Sequence, residues 1–330
     1  MTRLTHALYG SLLGQAIGDA YGLPFENLSP RRIVKFGVPT SFMLVPVIQG
    51  AMVSDDTEHA VMTVQAYIHS GGEIDSFERA LKRRLMLWFL SLPAGVGLAT
   101  ARSIIKMCLG VKHAGVFSAG NGAAMRASVL GVLCDDIEKL KQFVAVSSRL
   151  THTDPKAEQG ALTIALLAWA ECRYHHLSGE QIWSFVQSHV DSELVALVGQ
   201  PTHFPKGVSG YMYHTVPAVV QTWQTYRHRP VQGMQALLAM GGDTDTTCAI
   251  FGGITGVCHA DKLQQLQGVW CEPKLKPSFF FCLAGQAAQV YDSGTPQRPA
   301  RFGGVITFIR NLLFLLLVLL HGFRRLLPPY

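Results

Sequence analysis

Two short segments rich in carboxylate and hydroxyl side chains are the most chemically distinctive features of the chain. The first is Ser54–Thr57 (SDDT), and the second is Asp243–Thr247 (DTDTT), which follows a Gly-Gly pair. Each precedes an apolar helical pattern, where one such side chain commonly caps the helix. A cap needs one side-chain oxygen, whereas the two segments together supply four carboxylates. Oxygen ligands with no interposed His or Cys are typical of Mg²⁺, Mn²⁺ or Ca²⁺ sites and disfavour Zn²⁺.

Convergence of the two segments would create a strongly acidic centre. The adjacent carboxylates of Asp55 and Asp56 can diverge toward two ions, and the spacing of Asp243 and Asp245 lets both face one site. Such like charges repel unless cations neutralise them. The sequence therefore predicts a binuclear metal site at two helix N-termini. A further acidic residue, Glu26, is either an ordinary exposed loop glutamate or a third carboxylate that activates water or binds an ion.

Three other segments have side chains or turns suited to a nucleotide-like ligand. Gly120–Arg126 (GNGAAMR) is a glycine-rich turn before a helical pattern, where backbone N–H groups can approach a diphosphate. Turns of this kind are common, so the motif alone is weak. His152 either contacts a ribose or phosphate or belongs to a capping turn before Pro155. Tyr211 either stacks on a base or packs in the core, as such a tyrosine more often does.

Several other classes of site find little support. The chain has neither a GxSxG elbow nor a GxxxxGK[ST] loop, which disfavours serine-nucleophile and P-loop chemistry. Its seven cysteines include no CxxC pair, so we expect free thiols in a reducing cytoplasm and no zinc ribbon or disulfide scaffold. The N-terminal segment lacks the long apolar run of a secretory signal.

Most of the chain shows the apolar periodicity of α-helices, so helices must position these residues. In residues 4–20 the apolar positions share one helical face, and an apolar helix is predicted to start near Glu58. Phe42–Ile48 could form a strand, but no series of strands accompanies it. The pattern predicts a compact, multi-helix, all-α fold. Further helices are predicted over residues 76–91, 96–109, 122–133, 136–148, 157–174, 179–190, 213–226, 232–240, 245–258 and 277–290.

Glycine and alanine are frequent inside two of these helical segments, GSLLGQAIGDAYG and FGGITGVCHA. Glycine inside a helix costs up to about 1 kcal/mol relative to alanine. Close approach of two helices is the simplest reason to retain it. We therefore expect these two helices to be central and tightly crossed.

The positive charge of the chain belongs mainly to its C-terminal end. The formal net charge is +6, but residues 293–330 hold five arginines and no acidic residue. The other 23 basic residues nearly balance the 22 acidic ones, so no basic face for nucleic acid is evident and no nucleic-acid binding is expected. We predict a catalytic domain over residues 1–292, a Pro/Gly/Arg linker over 293–304 and an apolar tail over 305–330.

The tail contains a helical segment whose environment the sequence leaves open. Residues 305–320 are almost wholly apolar, although Arg310 and Asn311 interrupt them. As a helix they would span roughly 24 Å, less than the ~30 Å of bilayer hydrocarbon. Three interpretations compete: a short membrane anchor, a helix in the membrane interface, and a helix that covers an apolar groove on the body. We expect a cytoplasmic protein, with membrane contact through residues 305–330 left open.

In order along the chain, six motifs resemble those of the ADP-ribosylglycohydrolase family, which includes dinitrogenase-reductase-activating glycohydrolase and the ADP-ribosylarginine and ADP-ribosylserine hydrolases. Each motif alone is only suggestive, but six in the same order are highly specific. The resemblance covers about residues 5–290 and leaves the tail outside. The motifs are GSLLGQAIGDAYGLPFE, SDDTEHA, GNGAAMRASVLG, THTDPKAEQGA, SGYMYHTVPAVV and MGGDTDTTCAIFGGITG.

The resemblance assigns roles to individual positions. It implies two Mg²⁺ or Mn²⁺ ions and makes Glu26 the acidic residue that assists catalysis, together with the metal-bound carboxylates of Asp55 and Asp56. His152 would lie beside the substrate and Tyr211 toward the adenine. Ser54 stands where the family usually has Thr, which keeps the hydroxyl and loses a methyl group. The implied metal ligands are Ser54, Asp55, Asp56, Asp243, Asp245 and Thr246, and the implied diphosphate and ribose loop includes Gly120, Asn121, Gly122, Met125 and Arg126.

The resemblance implies a hydrolase that removes ADP-ribose from a modified protein side chain, with arginine favoured, or from a related conjugate. The expected partners are an ADP-ribosylated protein and, in one alternative, an ADP-ribosyltransferase. Three alternatives stay open: a non-catalytic ADP-ribose-binding or structural protein, a protein that reverses or blocks a toxin's ADP-ribosylation, and a metal-dependent phosphohydrolase of free nucleotides. The sequence does not distinguish the linkage, Mg²⁺ from Mn²⁺, or the oligomeric state.

Overall fold

The computed structural model describes residues 2–37, 50–266 and 268–324. Within them the chain forms fifteen α-helices, three short 3₁₀ turns and isolated β-bridges, with no β-strand. The helices are α1 (Arg3–Gly22), α2 (Pro30–Phe36), α3 (Asp55–Ser70), α4 (Ile74–Phe89), α5 (Leu98–Cys108), α6 (Ser128–Leu133), α7 (Ile137–Arg149), α8 (Pro155–Tyr174), α9 (Gly179–Gln187), α10 (Ser192–Val198), α11 (Met212–Tyr226), α12 (Pro230–Met240), α13 (Thr244–Leu263), α14 (Pro277–Ser293) and α15 (Val305–Arg324).

The all-α prediction is confirmed, with local corrections. A single helix over residues 122–133 is wrong, because Asn121–Arg126 forms a 3₁₀ turn and α6 begins only at Ser128. Backbone pairing of Gly120 with Tyr211 holds the start of this turn away from regular helix. The two-turn helices α2 and α10 were not predicted, because so few residues give no clear periodicity. The possible strand at residues 42–48 lies outside the described residues.

The centre of the fold is the antiparallel pair α1 and α13. Every fourth residue of α1, from Gly10 to Gly22, is a glycine that rests on the backbone of α13. A β-carbon at Gly14 would lie 2.2 Å from the carbonyl oxygen of Gly252, and one at Gly18 would lie 2.0 Å from that of Cys248. The prediction of tightly crossed central helices is confirmed. The crossing also brings the C-terminal end of α1 to the N-terminal end of α13.

The remaining helices enclose this pair in one continuous apolar core. Helices α3, α6 and α14 pack against α1, while α8, α11 and α12 pack against α13. Because α3 begins at Asp55 beside the end of α1, the N-terminus of α3 points to the same region as that of α13. The two acidic segments therefore belong to one end of the helical core.

The chain after α14 returns along the body. Ala300 accepts a hydrogen bond from Nε2 of Gln65 in α3 at 2.7 Å and donates its N–H to Oε1 of Gln286 in α14 at 2.7 Å. Gln297 donates its N–H to the carbonyl of Ile68 at 3.0 Å. The segment 293–304 thus lies against α3 and α14 and delivers α15 to the body. Among the described residues, one helix is long and apolar enough to cross a membrane, over Val305–Phe323.

Candidate functional site

The first acidic segment forms the N-terminal turn of α3. Ser54 is the N-cap, and its Oγ accepts a hydrogen bond from the N–H of Asp56 at 3.2 Å. The same hydroxyl lies 3.3 Å from Oδ2 of Asp56. Asp55 faces a cleft, whereas Ser54 and Asp56 lie behind its surface and are buried. A single cap would need only Ser54, so the two aspartates are available for another role.

Asp19 of α1 holds the first turn of α3 by hydrogen bonds, and this role was not predicted from the sequence. Its carboxylate accepts hydrogen bonds from the N–H of Ser54 at 2.9 Å, from the N–H of Thr57 at 3.1 Å and from Oγ1 of Thr57 at 2.5 Å. Burial raises the pKa of Asp19 to about 6, although these hydrogen bonds oppose the shift. A charged residue inside an otherwise apolar, glycine-rich helix was the available signal.

The second acidic segment is bound to the loops around it. Gly241 and Gly242 both have positive φ, at 67° and 84°, and they turn the chain into α13 at Asp243. The N–H of Asp243 donates to the carbonyl of Val208 at 2.8 Å. Oγ1 of Thr246 donates to Oδ2 of Asp56 at 3.1 Å, which joins the two segments directly. The two helix starts therefore converge in the structure, which is the condition for the binuclear site considered from the sequence.

The carboxyl groups at this centre are close enough to shift one another's pKa values. Burial, followed by the charges of neighbouring carboxylates, raises the pKa of Asp55, Asp56 and Asp245 well above the usual range of aspartate. For Asp55 the neighbours are Asp19, Glu58 and Glu26. Such shifts occur where several carboxylates share a dry site.

Two oxygens at the centre are suited to bind a cation. Oδ1 of Asp56 and Oδ1 of Asp245 are buried and make no hydrogen bond. A divalent cation would satisfy both and would relieve the repulsion among the carboxylates. Across the described residues, no three His, Cys, Asp or Glu side chains already form a compact metal cluster. The carboxylates, together with the hydroxyls of Ser54 and Thr246, offer only oxygen donors, which are the type that hard cations prefer.

The acidic centre forms one wall of a cleft of about 480 Å³. Seven separate parts of the sequence line it, including the segments that precede α5 and α11. Most of the residues singled out from sequence meet here. The predicted residues that line the cleft are Glu26, Asp55, Gly120, Asn121, Gly122, Met125, His152, Asp243, Asp245 and Thr246.

The glycine loop lies directly on His152. A β-carbon at Gly122 would lie 2.9 Å from Cε1 of the imidazole, and one at Gly120 would lie 3.1 Å from Nε2. Nδ1 of His152 lies 2.9 Å from Oγ1 of Thr151. Burial, with the charge of Arg126 adding to it, lowers the pKa of His152 to about 3. The ring is therefore neutral at physiological pH and faces a cleft that exposed backbone also lines.

Two of the predicted substrate contacts, Arg126 and Tyr211, are not among the residues that line the cleft. Arg126 does not line the cleft: its guanidinium is fully buried and donates to the carbonyl of Ser147 and to Oγ1 of Thr151, both at 2.7 Å. Tyr211 is 37% exposed beside the cleft, where its ring meets that of His214 edge-on at 5.2 Å. Arg126 therefore supports the loop that carries His152, and Tyr211 offers an open aromatic face.

The whole region from the first helix to the end of α14 has a known counterpart. Residues 2–293 match the family model described as ADP-ribosylglycohydrolase. The chain belongs to this family. The match ends at the last residue of α14, before the segment 293–304 leads into α15.

The chain is also similar to individual proteins. The chain is 26% identical over 266 residues to an uncharacterized protein of Archaeoglobus fulgidus, covering 74% of this chain and 85% of that protein. It is 27% identical over 303 residues to the uncharacterized protein YegU of Escherichia coli (strain K12), covering 77% and 88%. A solved structure titled "ADP-ribosylglycohydrolase-related protein complex" shares the fold, with a TM-score of 0.64, 20% identity and coverage of 89% of this chain and 100% of that one.

Membership of the ADP-ribosylglycohydrolase family indicates a hydrolase that acts on ADP-ribose conjugates. The cleft is consistent with this class, since it combines a carboxylate-rich wall with backbone-lined turns that suit a phosphorylated sugar.

Proposed function

We propose that the protein is a metal-dependent hydrolase that releases ADP-ribose from a modified arginine side chain. The observation that carries the proposal is the convergence of two acidic helix starts, with unpaired oxygens on Asp56 and Asp245, at a cleft lined by a glycine loop. The volume of the cleft is within the ordinary range for small-molecule sites, which is roughly 300–1,000 Å³.

Two Mg²⁺ or Mn²⁺ ions would be held by the two acidic segments. When bound, such ions supply positive charge that polarises sugar hydroxyls and lowers the pKa of water. The carboxylates of Asp55, Asp56 and Asp245 would attract these ions strongly, because each is buried near other carboxylates whose repulsion a cation would relieve. The proposed ligands are Ser54, Asp55, Asp56, Asp243, Asp245 and Thr246.

The residues of the chain would bind and orient the conjugate. The backbone of Gly120–Gly122 faces the cleft and would receive the diphosphate, with neutral His152 beside it. Tyr211 would offer its exposed ring to the adenine. Water would attack the anomeric carbon of the distal ribose as the bond to the guanidine nitrogen breaks. Glu26, which lines the same cleft, would accept the proton from that water.

The first test is release of free ADP-ribose from an arginine-ADP-ribosylated protein in the presence of Mg²⁺, Mn²⁺ or EDTA. We expect release with a divalent cation and none with EDTA. Asp55→Asn and Asp245→Asn should each lower kcat by at least about 10²-fold, since a missing charge at a metal site removes an essential ligand. Circular dichroism should show that both variants are folded.

Matched controls separate this reaction from its alternatives. Asp261→Asn alters an exposed aspartate on the same helix as Asp245 and should keep full activity. Activity that persists in EDTA, or in both cleft variants, would contradict the proposal. Release from serine-linked but not arginine-linked conjugates would show that the enzyme cleaves the serine linkage instead. Binding of ADP-ribose without turnover would identify a non-catalytic binding protein, and release of inorganic phosphate would identify a phosphohydrolase.

A further inference from the structure

Helix α15 packs against the body through polar side chains and exposes apolar ones. Three of its polar side chains, those of Thr307, Arg310 and Asn311, are buried. The large side chain that packs with them is Phe314. These positions are spaced by three, one and three residues and so form one helical face. The hydrophobic effect normally produces the opposite arrangement, with apolar residues inward.

Arg310 connects this polar face to the body through ion pairs and a hydrogen bond. Its guanidinium is only 6% exposed, forms an ion pair with Glu58 of α3 at 3.3 Å, and forms a second, shorter ion pair with Glu272. It also donates to the carbonyl of Val53, the residue before the proposed ligand Ser54. Asn311 adds a hydrogen bond from Nδ2 to the carbonyl of Ser91 at 2.9 Å.

These contacts argue against a helix that leaves the body to cross a bilayer. Insertion would place the charge of Arg310 within the hydrocarbon and would strand Glu58 and Glu272, both buried, without their counter-charge. The length of α15 does not decide the matter, since 20 helical residues span roughly 30 Å. The ion pairs favour a helix that stays docked.

The outer face of the docked helix is almost purely apolar. The most hydrophobic window of α15 has a mean hydropathy of 2.1, and only 22% of it is buried. Such a long apolar stripe is unfavourable in water and indicates an apolar partner. The exposed side chains are Val305, Ile306, Phe308, Ile309, Leu312, Leu313, Leu315, Leu316, Val318, Leu319, Leu320 and Phe323.

We propose that α15 remains docked on the body through Arg310 and lays its outer face in the interface of an anionic lipid bilayer. The charge of the flanking sequence selects this partner. In the sequence, Arg298 and Arg301 precede residues 305–324, Arg324 and Arg325 follow the apolar run, and residues 293–330 contain no acidic side chain. Anionic headgroups would balance these arginines. A second copy of the same face would bring like charges together instead.

The docked helix would hold the candidate active site beside the bilayer. Glu26 lines the cleft and also a groove formed with Phe314 and Leu317 of α15. A conjugate at the membrane surface would therefore lie near the cleft, and this consequence rests on the proposed function. The lipid contact itself does not, so binding to vesicles can be measured independently of any hydrolysis.

The test is flotation of the full chain with vesicles of phosphatidylcholine alone or mixed with phosphatidylglycerol. We expect co-flotation that is stronger with the anionic vesicles and weakened by salt. The double variant Leu312→Glu/Leu316→Glu should lower vesicle binding by at least about tenfold, because it puts two charges on the membrane-facing side. Leu109→Glu, on an exposed leucine of the body, is the matched control and should bind like the natural chain.

Each other outcome overturns a defined part of the proposal. No flotation with either vesicle, or flotation unchanged by the double variant, would exclude α15 as the lipid contact. Resistance of the bound protein to alkaline carbonate would show a spanning helix rather than a docked one. A dimer in analytical ultracentrifugation without vesicles, converted to a monomer by the double variant, would identify a second copy as the partner.

Discussion

Asn121 donates its side-chain amide to Oδ2 of Asp243 at 2.7 Å. The same Nδ2 also lies 3.0 Å from Oγ1 of Thr215, and the N–H of Asn121 donates to the carbonyl of Gly210 at 2.9 Å. The glycine loop and the second acidic segment are thus held together by one residue. Asn121 was predicted as a substrate contact, and the structure gives it a second role in orienting a proposed metal ligand.

Replacement of Asn121 by alanine should weaken metal and substrate binding together. The variant removes a donor to the Asp243 carboxylate, and loss of a group that orients a metal ligand typically costs about 10–100-fold in metal affinity. Isothermal titration with Mn²⁺ and steady-state kinetics would measure the two effects. Ser118→Ala, which also alters a side chain lining the cleft, is the control and should change both values much less. Unchanged Mn²⁺ affinity in Asn121→Ala would refute the orienting role.

The acidic centre should make the metal-free protein less stable than a variant with one carboxylate fewer. Asp245 lies buried near Glu26, Asp243 and Asp56, and its Oδ1 has no hydrogen-bond partner. In EDTA, Asp245→Asn should therefore raise the free energy of unfolding by about 1–2 kcal/mol. With excess Mn²⁺ the order should reverse, because the ion stabilises the native site that binds it. Urea denaturation in both conditions measures this, with Asp261→Asn as the exposed control.

Proton release should accompany metal binding, and affinity should rise with pH. Burial raises the pKa of Asp55, Asp56 and Asp245, so these carboxyls retain protons in the folded, metal-free protein at pH values where exposed aspartates are ionised. Their contribution to stability is fully present below about pH 4 and is lost as pH rises through the elevated pKa values.

Calorimetry of Mn²⁺ binding in two buffers of different ionisation enthalpy gives the number of protons released. We expect protons to be released on binding and the affinity to fall as pH falls, because a metal ligand must be deprotonated. His152 should not contribute, since burial lowers its pKa to about 3. Binding with no proton release would show that the carboxyls are already ionised.

The acidic segments could be predicted because their chemistry is local. Aspartate and hydroxyl residues at helix starts are visible in the sequence, and two such starts imply one site if they meet. Their meeting depends on the α1 and α13 crossing, for which the glycine pattern was a usable signal. The positions of neighbouring residues were less accessible. Met125 lines the cleft while the adjacent Arg126 turns into the core to contact Ser147 and Thr151, because a 3₁₀ turn separates their directions.

Contacts between distant parts of the chain could not be predicted. Arg310 and Asn311 interrupt an apolar run and, in sequence, look like defects in a membrane helix. In the structure they are the anchors of α15, and the partner of Arg310, Glu58, lies 252 residues earlier. Asp19 was missed for the same reason, since its partners Ser54 and Thr57 belong to another helix. A residue whose partner is remote in sequence gives no local pattern.

The glycines of α1 should tolerate no side chain, whereas a glycine elsewhere in a helix should tolerate one. A methyl group at Gly14 would lie 2.2 Å from the carbonyl oxygen of Gly252, so Gly14→Ala must separate α1 from α13. We expect a loss of at least about 3 kcal/mol, since overpacking between two backbones cannot be relieved by rotating a side chain. The control is Gly285→Ala in α14, where nothing lies within 4 Å and alanine should add about 0.5–1 kcal/mol to the free energy of unfolding.

Because separation of α1 from α13 would also displace Asp243 and Asp245 from the α3 segment, any folded Gly14→Ala protein should bind Mn²⁺ weakly. Urea denaturation and Mn²⁺ titration of both variants measure these effects, and equal stability of the two proteins would show that the crossing does not depend on glycine.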